Sequence, residues 1–232
     1  MSFAKTSIFS ENNVNDLQES NVEKCFEYTG QINSRIEFNN FIYVIDEKTD
    51  NVEILGYVED TSDTKVLEIP SFVTKLAPYM FSELSGDVKI VHKDNRVKNM
   101  REVFCKARKV NSLDLSEFDT HGVEYMSNMF EDCWSLVSID LSNFNIEKVI
   151  DMSSMFENCY SLTKLDLAHT VNRKIKSMSA MFKDCVELRE LDLGNFYITD
   201  RTYVRDIFKN CGIIEHLEYC NIPYIRLSRL GL

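Results

Sequence analysis

The chain has 232 residues, 44% hydrophobic and 27% charged, a composition that excludes wholesale disorder and is long enough for a continuous core. A formal net charge of −11 excludes a surface built to follow nucleic-acid phosphates, which needs clustered Lys and Arg. Seven cysteines, none in a C-x-x-C pair, fit free thiols in a reducing compartment rather than a disulfide framework.

Residues 1–34 read as a polar N-terminal arm. The opening Met1–Phe9 lacks the apolar run of a secretory signal, and no stretch approaches the roughly 18 apolar residues of a membrane helix. A cytoplasmic location, in a bacterium or a host cell, and no membrane association are therefore expected. Residues 35–68 read as a β-hairpin N-cap: Arg35–Phe38 and Phe41–Ile45 lead through Asp46–Asn51 into Val52–Val58. Val66–Pro70 then enters a short variant coil that ends at Phe81, 23 residues before Phe104.

From there one pattern repeats every 26 residues, at Phe104, Phe130, Phe156, Phe182 and Phe208. Cys133, Cys159, Cys185 and Cys211 follow the last four at a fixed offset, with Ala107 in the first copy. Each Phe also precedes a strand-like triplet: Leu113-Asp114-Leu115, Ile139-Asp140-Leu141, Leu165-Asp166-Leu167, Leu191-Asp192-Leu193 and the degenerate Leu217-Glu218-Tyr219. Within one copy Met126, Met129, Phe130 and Cys133 have the i, i+3, i+4, i+7 spacing of a short helix. Leu136, Ile139 and Leu141 then bring in the period of two, a strand. Phe118, Phe144 and Phe196 close the set, with Thr170 as the exception. A single copy buries about eight apolar side chains at ~1.5–3 kcal/mol each. Ordering its backbone costs roughly 1–2 kcal/mol per residue, so one copy cannot fold alone and must stack on neighbours. The expected fold class is α/β, a solenoid over 69–222 with a parallel sheet on one face, short helices on the other and a hairpin cap. Residues 223–232 form a basic-apolar tail.

The segment Met126–Leu136 followed by Ile139-Asp140-Leu141-Ser142-Asn143-Phe144 resembles the BspA-like leucine-rich repeats shared with mycoplasma lipoproteins. The lead-in Glu68-Ile69-Pro70-Ser71-Phe72-Val73-Thr74-Lys75-Leu76 is similar to that of the same family, and the resemblance extends over about 40–220. It implies a right-handed leucine-rich-repeat solenoid. Many members are surface adhesins or antigens, and such repeats also occur in protozoa and on mobile elements.

Stacking such coils lines up Asp114, Asp140, Asp166, Asp192 and Glu218 on the outer face of the sheet, flanked by Ser112, Ser138, Lys164, Glu190 and His216. The flanking residues differ in size and charge while the inward ones do not, the pattern of a recognition surface. Neighbouring carboxylates about 4.8 Å apart repel by about 0.9 kcal/mol in water. Either local donors such as Ser116 and Ser142 offset that, or a partner's Lys and Arg do. One carboxylate per coil gives too few ligands for calcium. Trp134 and Tyr160 share one repeat position, followed by Val186 and Gly212, and form a candidate aromatic contact or an edge-packing pair. The cysteine column reads as small buried thiols and the methionine stripe as core. His92, His121, His169 and His216 fall at different phases of the repeat, and no nucleotide, zinc or nucleophile motif occurs. The expectation is a non-enzymatic module without cofactor, metal or direct nucleic-acid contact. Its sheet face would bind a protein or peptide carrying a basic patch. The alternatives are a phage- or mobile-element-encoded inhibitor of a host nucleic-acid enzyme or defence nuclease, and a surface adhesin whose leader was removed.

Overall fold

Apolar residues recurring every 26 positions can share one core only if each copy turns through a full circuit and lands on the one before it. The computed structural model of the chain describes residues 35–38, 41–46, 51–57, 65–71, 73–93, 96–193 and 196–212, and shows this arrangement. The N-terminal arm, the C-terminal tail, His216, Glu218 and the triplet around it lie outside the described residues.

Strands β1 (Arg35–Phe38), β2 (Phe41–Asp46) and β3 (Asn51–Tyr57) pair antiparallel, and β3 pairs in parallel with β5 (Lys75–Leu76). Strands β4 (Lys65–Ile69), β6 (Ser85–His92), β7 (Lys109–Asp114) and β8 (Ser138–Asp140) form a parallel sheet. Strands β9 (Lys164–Asp166) and β10 (Glu190–Asp192) form a second parallel pair beside it. Elsewhere on the circuit a second parallel ladder runs unbroken through Asn99, Tyr125, Asp151, Ser177 and Tyr203.

Between the ladders the repeated phenylalanines form one stack. Ring centroids of Phe81, Phe104, Phe130, Phe156, Phe182 and Phe208 follow each other at 4.7, 5.2, 5.2, 5.8 and 5.6 Å, and all six rings are fully buried. Phe118 and Phe144 build a second column at 6.4 Å, headed by the buried His92. Thr170 interrupts this column, and its hydroxyl donates to the Leu167 carbonyl at 2.6 Å, so the small polar side chain remains satisfied.

The short helices expected on the face opposite the sheet are absent among the described residues, and the α/β assignment gives way to a β-solenoid. The Met-x-x-Met-Phe-x-x-Cys segment is instead a run of tight turns. Met129, Glu131 and Cys133 N–H groups donate three residues back, to Met126, Asn128 and Phe130, at 3.1–3.3 Å. The alternate N–H groups of Asn128, Phe130 and Asp132 point along the axis to Ser153, Met155 and Glu157 of the next coil, each at 2.9 Å. The cause is steric. Packed helices need about 8–10 Å between axes, whereas these coils repeat at the phenylalanine spacing near 5 Å on both faces. The same four residues, Met126, Met129, Phe130 and Cys133, are buried in either conformation, so their spacing alone does not distinguish the two.

What does distinguish them is the left-handed backbone two residues either side of each Phe. Positive φ values of 54–62° recur at Asn128 and Asp132, Ser154 and Asn158, and Ala180 and Asp184. Side chains of Asn and Asp tolerate this region best among non-glycine residues, and they fill the second position of each pair from Asp132 onward. Ala180, at φ 55°, has no such compensation. Left-handed backbone costs an L-residue roughly 1–2 kcal/mol, and glycine's added chain entropy returns about half of that. Ala180→Gly is therefore expected to stabilise the fold by about 0.5–1 kcal/mol, and Ala180→Val to destabilise it. Urea unfolding midpoints of the two variants check both signs.

Candidate functional site

The pleat of a strand sends alternate side chains to opposite faces. Leu113, Leu165 and Leu191 are buried and Ile139 packs against the same core, which leaves Asp114, Asp140, Asp166 and Asp192 on the outer face with Ser112, Ser138, Lys164 and Glu190. The first three aspartates are fixed by the turn that ends their own strand. Asp114 Oδ1 accepts the Ser116 N–H at 2.9 Å and the Ser116 hydroxyl at 2.6 Å. Asp140 accepts the Ser142 N–H at 2.8 Å, and Asp166 the Ala168 N–H at 2.9 Å. Each of these three carboxylates is thus fixed in direction by its own turn.

Their charges are offset unequally. Lys89, one coil earlier, lies 3.5 Å from Asp114 and 2.8 Å from Glu117. The Ser116 hydrogen bond and this lysine hold the Asp114 carboxyl below its usual range. Ser112 donates to Asp87 at 2.7 Å, and Lys164 pairs with Glu190 at 2.8 Å. Asp140 and Asp166 have no ion pair among the described residues, and Ser138 beside them is exposed. Strands β8 and β9, which carry these two carboxylates, lie side by side without joining into one ladder. Leu115 and Leu167 donate to Asp140 and Asp192 of the following coil at 3.0 and 2.9 Å; the equivalent bond from Leu141 to Asp166 is missing. Near the seam the Thr163 N–H reaches the Val137 carbonyl at 3.4 Å, and the Ser161 hydroxyl donates to the Trp134 carbonyl at 2.8 Å. Like charges directly opposite on adjacent strands oppose pairing, and at this junction the nearest cation on the face, Lys164, is paired with Glu190.

Trp134 and Tyr160 stand beside the same junction. Their rings are 6.1 Å apart and tilted, 39% and 38% exposed, with Val137 48% exposed nearby in sequence. Arg108, one coil before Trp134, stacks its guanidinium 3.9 Å from the indole centroid and reaches Asp132 at 3.5 Å. The following positions of this column are the smaller Val186 and Gly212. A Cβ on Gly212 would meet the Val186 carbonyl oxygen at 2.4 Å, so the coils close too tightly there for a side chain. Alongside runs a column in which carboxylate and amide alternate: Asn158 donates to Asp132 and Asn210 to Asp184, both at 2.8 Å. The alternation avoids the stacked charges that the sheet face retains.

Sequence reasoning missed Lys89, Arg108 and Val137. Lys89 belongs to the shorter first coil and pairs with Asp114 across 25 residues, outside a strict count of 26. Arg108 was open to detection, since it lies one full period before Trp134.

The cysteine column is core. Cys133, Cys159 and Cys185 donate their thiols to the carbonyls of Phe104, Phe130 and Phe156 one coil earlier, at 3.2, 3.2 and 3.0 Å. Burial raises all three thiols well above their usual range, and burial with Glu131 nearby pushes Cys105 up to about 12. No group of three or more His, Cys, Asp or Glu side chains able to hold a metal occurs among the described residues. Nor is any described helix long and apolar enough to cross a membrane.

These features define the class: a parallel-sheet β-solenoid of about five turns with an outward-facing acidic sheet. The chain belongs to the family described as Mycoplasma protein of unknown function, DUF285, which matches residues 77–196 and 168–216. No curated protein and no solved structure matches it.

The buried thiols give a pH prediction. An unfolded thiol ionises near ~8.5, whereas these stay protonated in the fold, so above that pH the folded chain binds more protons than the unfolded one. Stability then falls as pH rises, by about 1.4 kcal/mol per pH unit for each such thiol. Comparing urea unfolding at pH 7.5 and 10 ~ the ends of this window ~ should show a smaller alkaline loss in Cys159→Ser, whose hydroxyl keeps the hydrogen bond without ionising.

Proposed function

We propose that the chain is a non-enzymatic binding module of the BspA-like leucine-rich-repeat type, working in the cytoplasm, whose sheet face holds a protein or peptide through a basic patch. The observation that carries this reading is the adjacent pair Asp140 and Asp166. Both are pre-aimed by their own turns and neither is neutralised by a cation among the described residues. Leaving two such charges side by side costs stability, and a partner's cations would recover it. The exposed ring edges of Trp134 and Tyr160 and the varied column Ser112, Ser138, Lys164 and Glu190 would add shape and apolar contact.

The remaining ionisable groups support binding over catalysis. His92 is buried against Phe118, and His121 sits 2.7 Å from Asp119 on another part of the circuit. Carboxylates are held by strand-ending turns rather than facing each other across a cleft.

The test removes charge and keeps geometry. Asn at 140 and 166 still offers the oxygen that accepts the Ser142 and Ala168 N–H groups. The Asp140→Asn, Asp166→Asn double variant should match or exceed the wild-type unfolding midpoint and lose at least tenfold in capture of its partner from native lysate. Wild-type capture should be released by moderate salt. Equal capture by variant and wild type would remove the sheet face from the assignment.

A further inference from the structure

We infer that the junction between the second and third full coils is a docking surface for an arginine-bearing segment, one guanidinium seated on the outer face of Tyr160 and another cation between Asp140 and Asp166. This rests on the sheet-face reading and names what the partner must carry. Three observations converge on the junction. The first is the exposure of Trp134, Val137 and Tyr160, large apolar side chains of the two coils that meet here. The second is the column that builds it. Arg108, Trp134 and Tyr160 stack in order, and the column then steps down to Val186 and Gly212, so that among the described residues the column itself carries no large side chain beyond Tyr160. The third is charge: Asp140 and Asp166 sit at the same junction without a cation among the described residues, and Lys164, which feels Asp166, is held by Glu190 at 2.8 Å.

The chemistry of the occupant follows from a contact the chain makes with itself. Arg108 lies 3.9 Å from the Trp134 ring centroid and pairs with Asp132 at 3.5 Å, so a planar cation is gripped by a ring face and a carboxylate together. The pattern recurs elsewhere on the solenoid, with Arg101 over Tyr125 at 4.1 Å and 3.6 Å from Asp151. A guanidinium suits such a site better than an ammonium, because it is flat, weakly hydrated and able to stack and hydrogen-bond at once. A partner arginine on Tyr160 would extend the existing stack by one member. A second basic side chain would supply the charge missing from the seam, which should bring β8 and β9 into closer register.

The sole tryptophan of the chain is Trp134, so its fluorescence reports this junction without a label. The full chain is titrated with octa-arginine amide and, separately, octa-lysine amide. The expected result is a saturable change in emission with octa-arginine, a dissociation constant at least threefold weaker for octa-lysine, and loss of that preference in Tyr160→Ala. The Asp140→Asn, Asp166→Asn variant should weaken octa-arginine at least tenfold, and amide exchange at Leu141 should slow in the wild type on saturation. Equal affinity for the two peptides in the wild type, an unchanged affinity in the aspartate variant, or no fluorescence response would each overturn the inference. If it is overturned while lysate capture still depends on Asp140 and Asp166, the sheet-face reading stands without the arginine site. If capture is also indifferent to them, both fail.

Discussion

The structure depends on one spacing. Six phenylalanine rings stack at 4.7–5.8 Å, and the backbone hydrogen bonds that join successive coils demand nearly the same distance. Ring stacking and strand pairing thus enforce each other, and everything else on the circuit must fit within a slab about 5 Å thick. An α-helix, roughly 10 Å across, does not. That exclusion turns each expected helix into a string of turns, and it requires left-handed backbone at two points per coil. The Asn and Asp residues at those points and the thiols that fill the narrow space beside each Phe are consequences of the same thickness.

Stacking identical units also stacks identical charges, and the two outer columns handle this differently. In the turn column Asp132, Asn158, Asp184 and Asn210 alternate, so each carboxylate faces an amide that donates to it. On the sheet the aspartates are not alternated, and Asp114, Asp140 and Asp166 each use a side-chain oxygen to close the turn after the strand. The first receives Lys89 from the coil before it. The central pair receives nothing comparable, and there the ladder opens. A turn repeated from coil to coil thus leaves Asp140 and Asp166 without an ion pair among the described residues.

The separation of roles is physical as well as spatial. Inward residues are mostly Leu, Ile, Val, Met, Phe and Cys, constrained by a continuous packed core. Outward residues are free of packing constraint, and the aromatic pair and the flanking Ser, Lys and Glu residues use that freedom. Interior hydroxyls and amides remain structural: Asn172, fully buried, donates to Ile146 and Val149 carbonyls at 2.6 and 2.8 Å and accepts from Lys174 and Ile175.

By itself the sequence determined the repeat, its length, the inward residues and the alignment of Asp114, Asp140, Asp166 and Asp192 on one face, because periodicity encodes which side chains share a core. It did not determine helix against turn, since Met126, Met129, Phe130 and Cys133 point inward in both. That choice lies in the contact between coils, where axial hydrogen bonds to residues 25 positions away outweigh those within a local helix. Likewise the row of carboxylates was legible, but which of them is neutralised was not. Lys89 reaches Asp114 from a coil of irregular length, and the gap between β8 and β9 is a property of neighbouring strands rather than of either one. Local pattern decides what faces inward; only the stacked structure decides which outward groups meet a counterpart on a neighbouring coil.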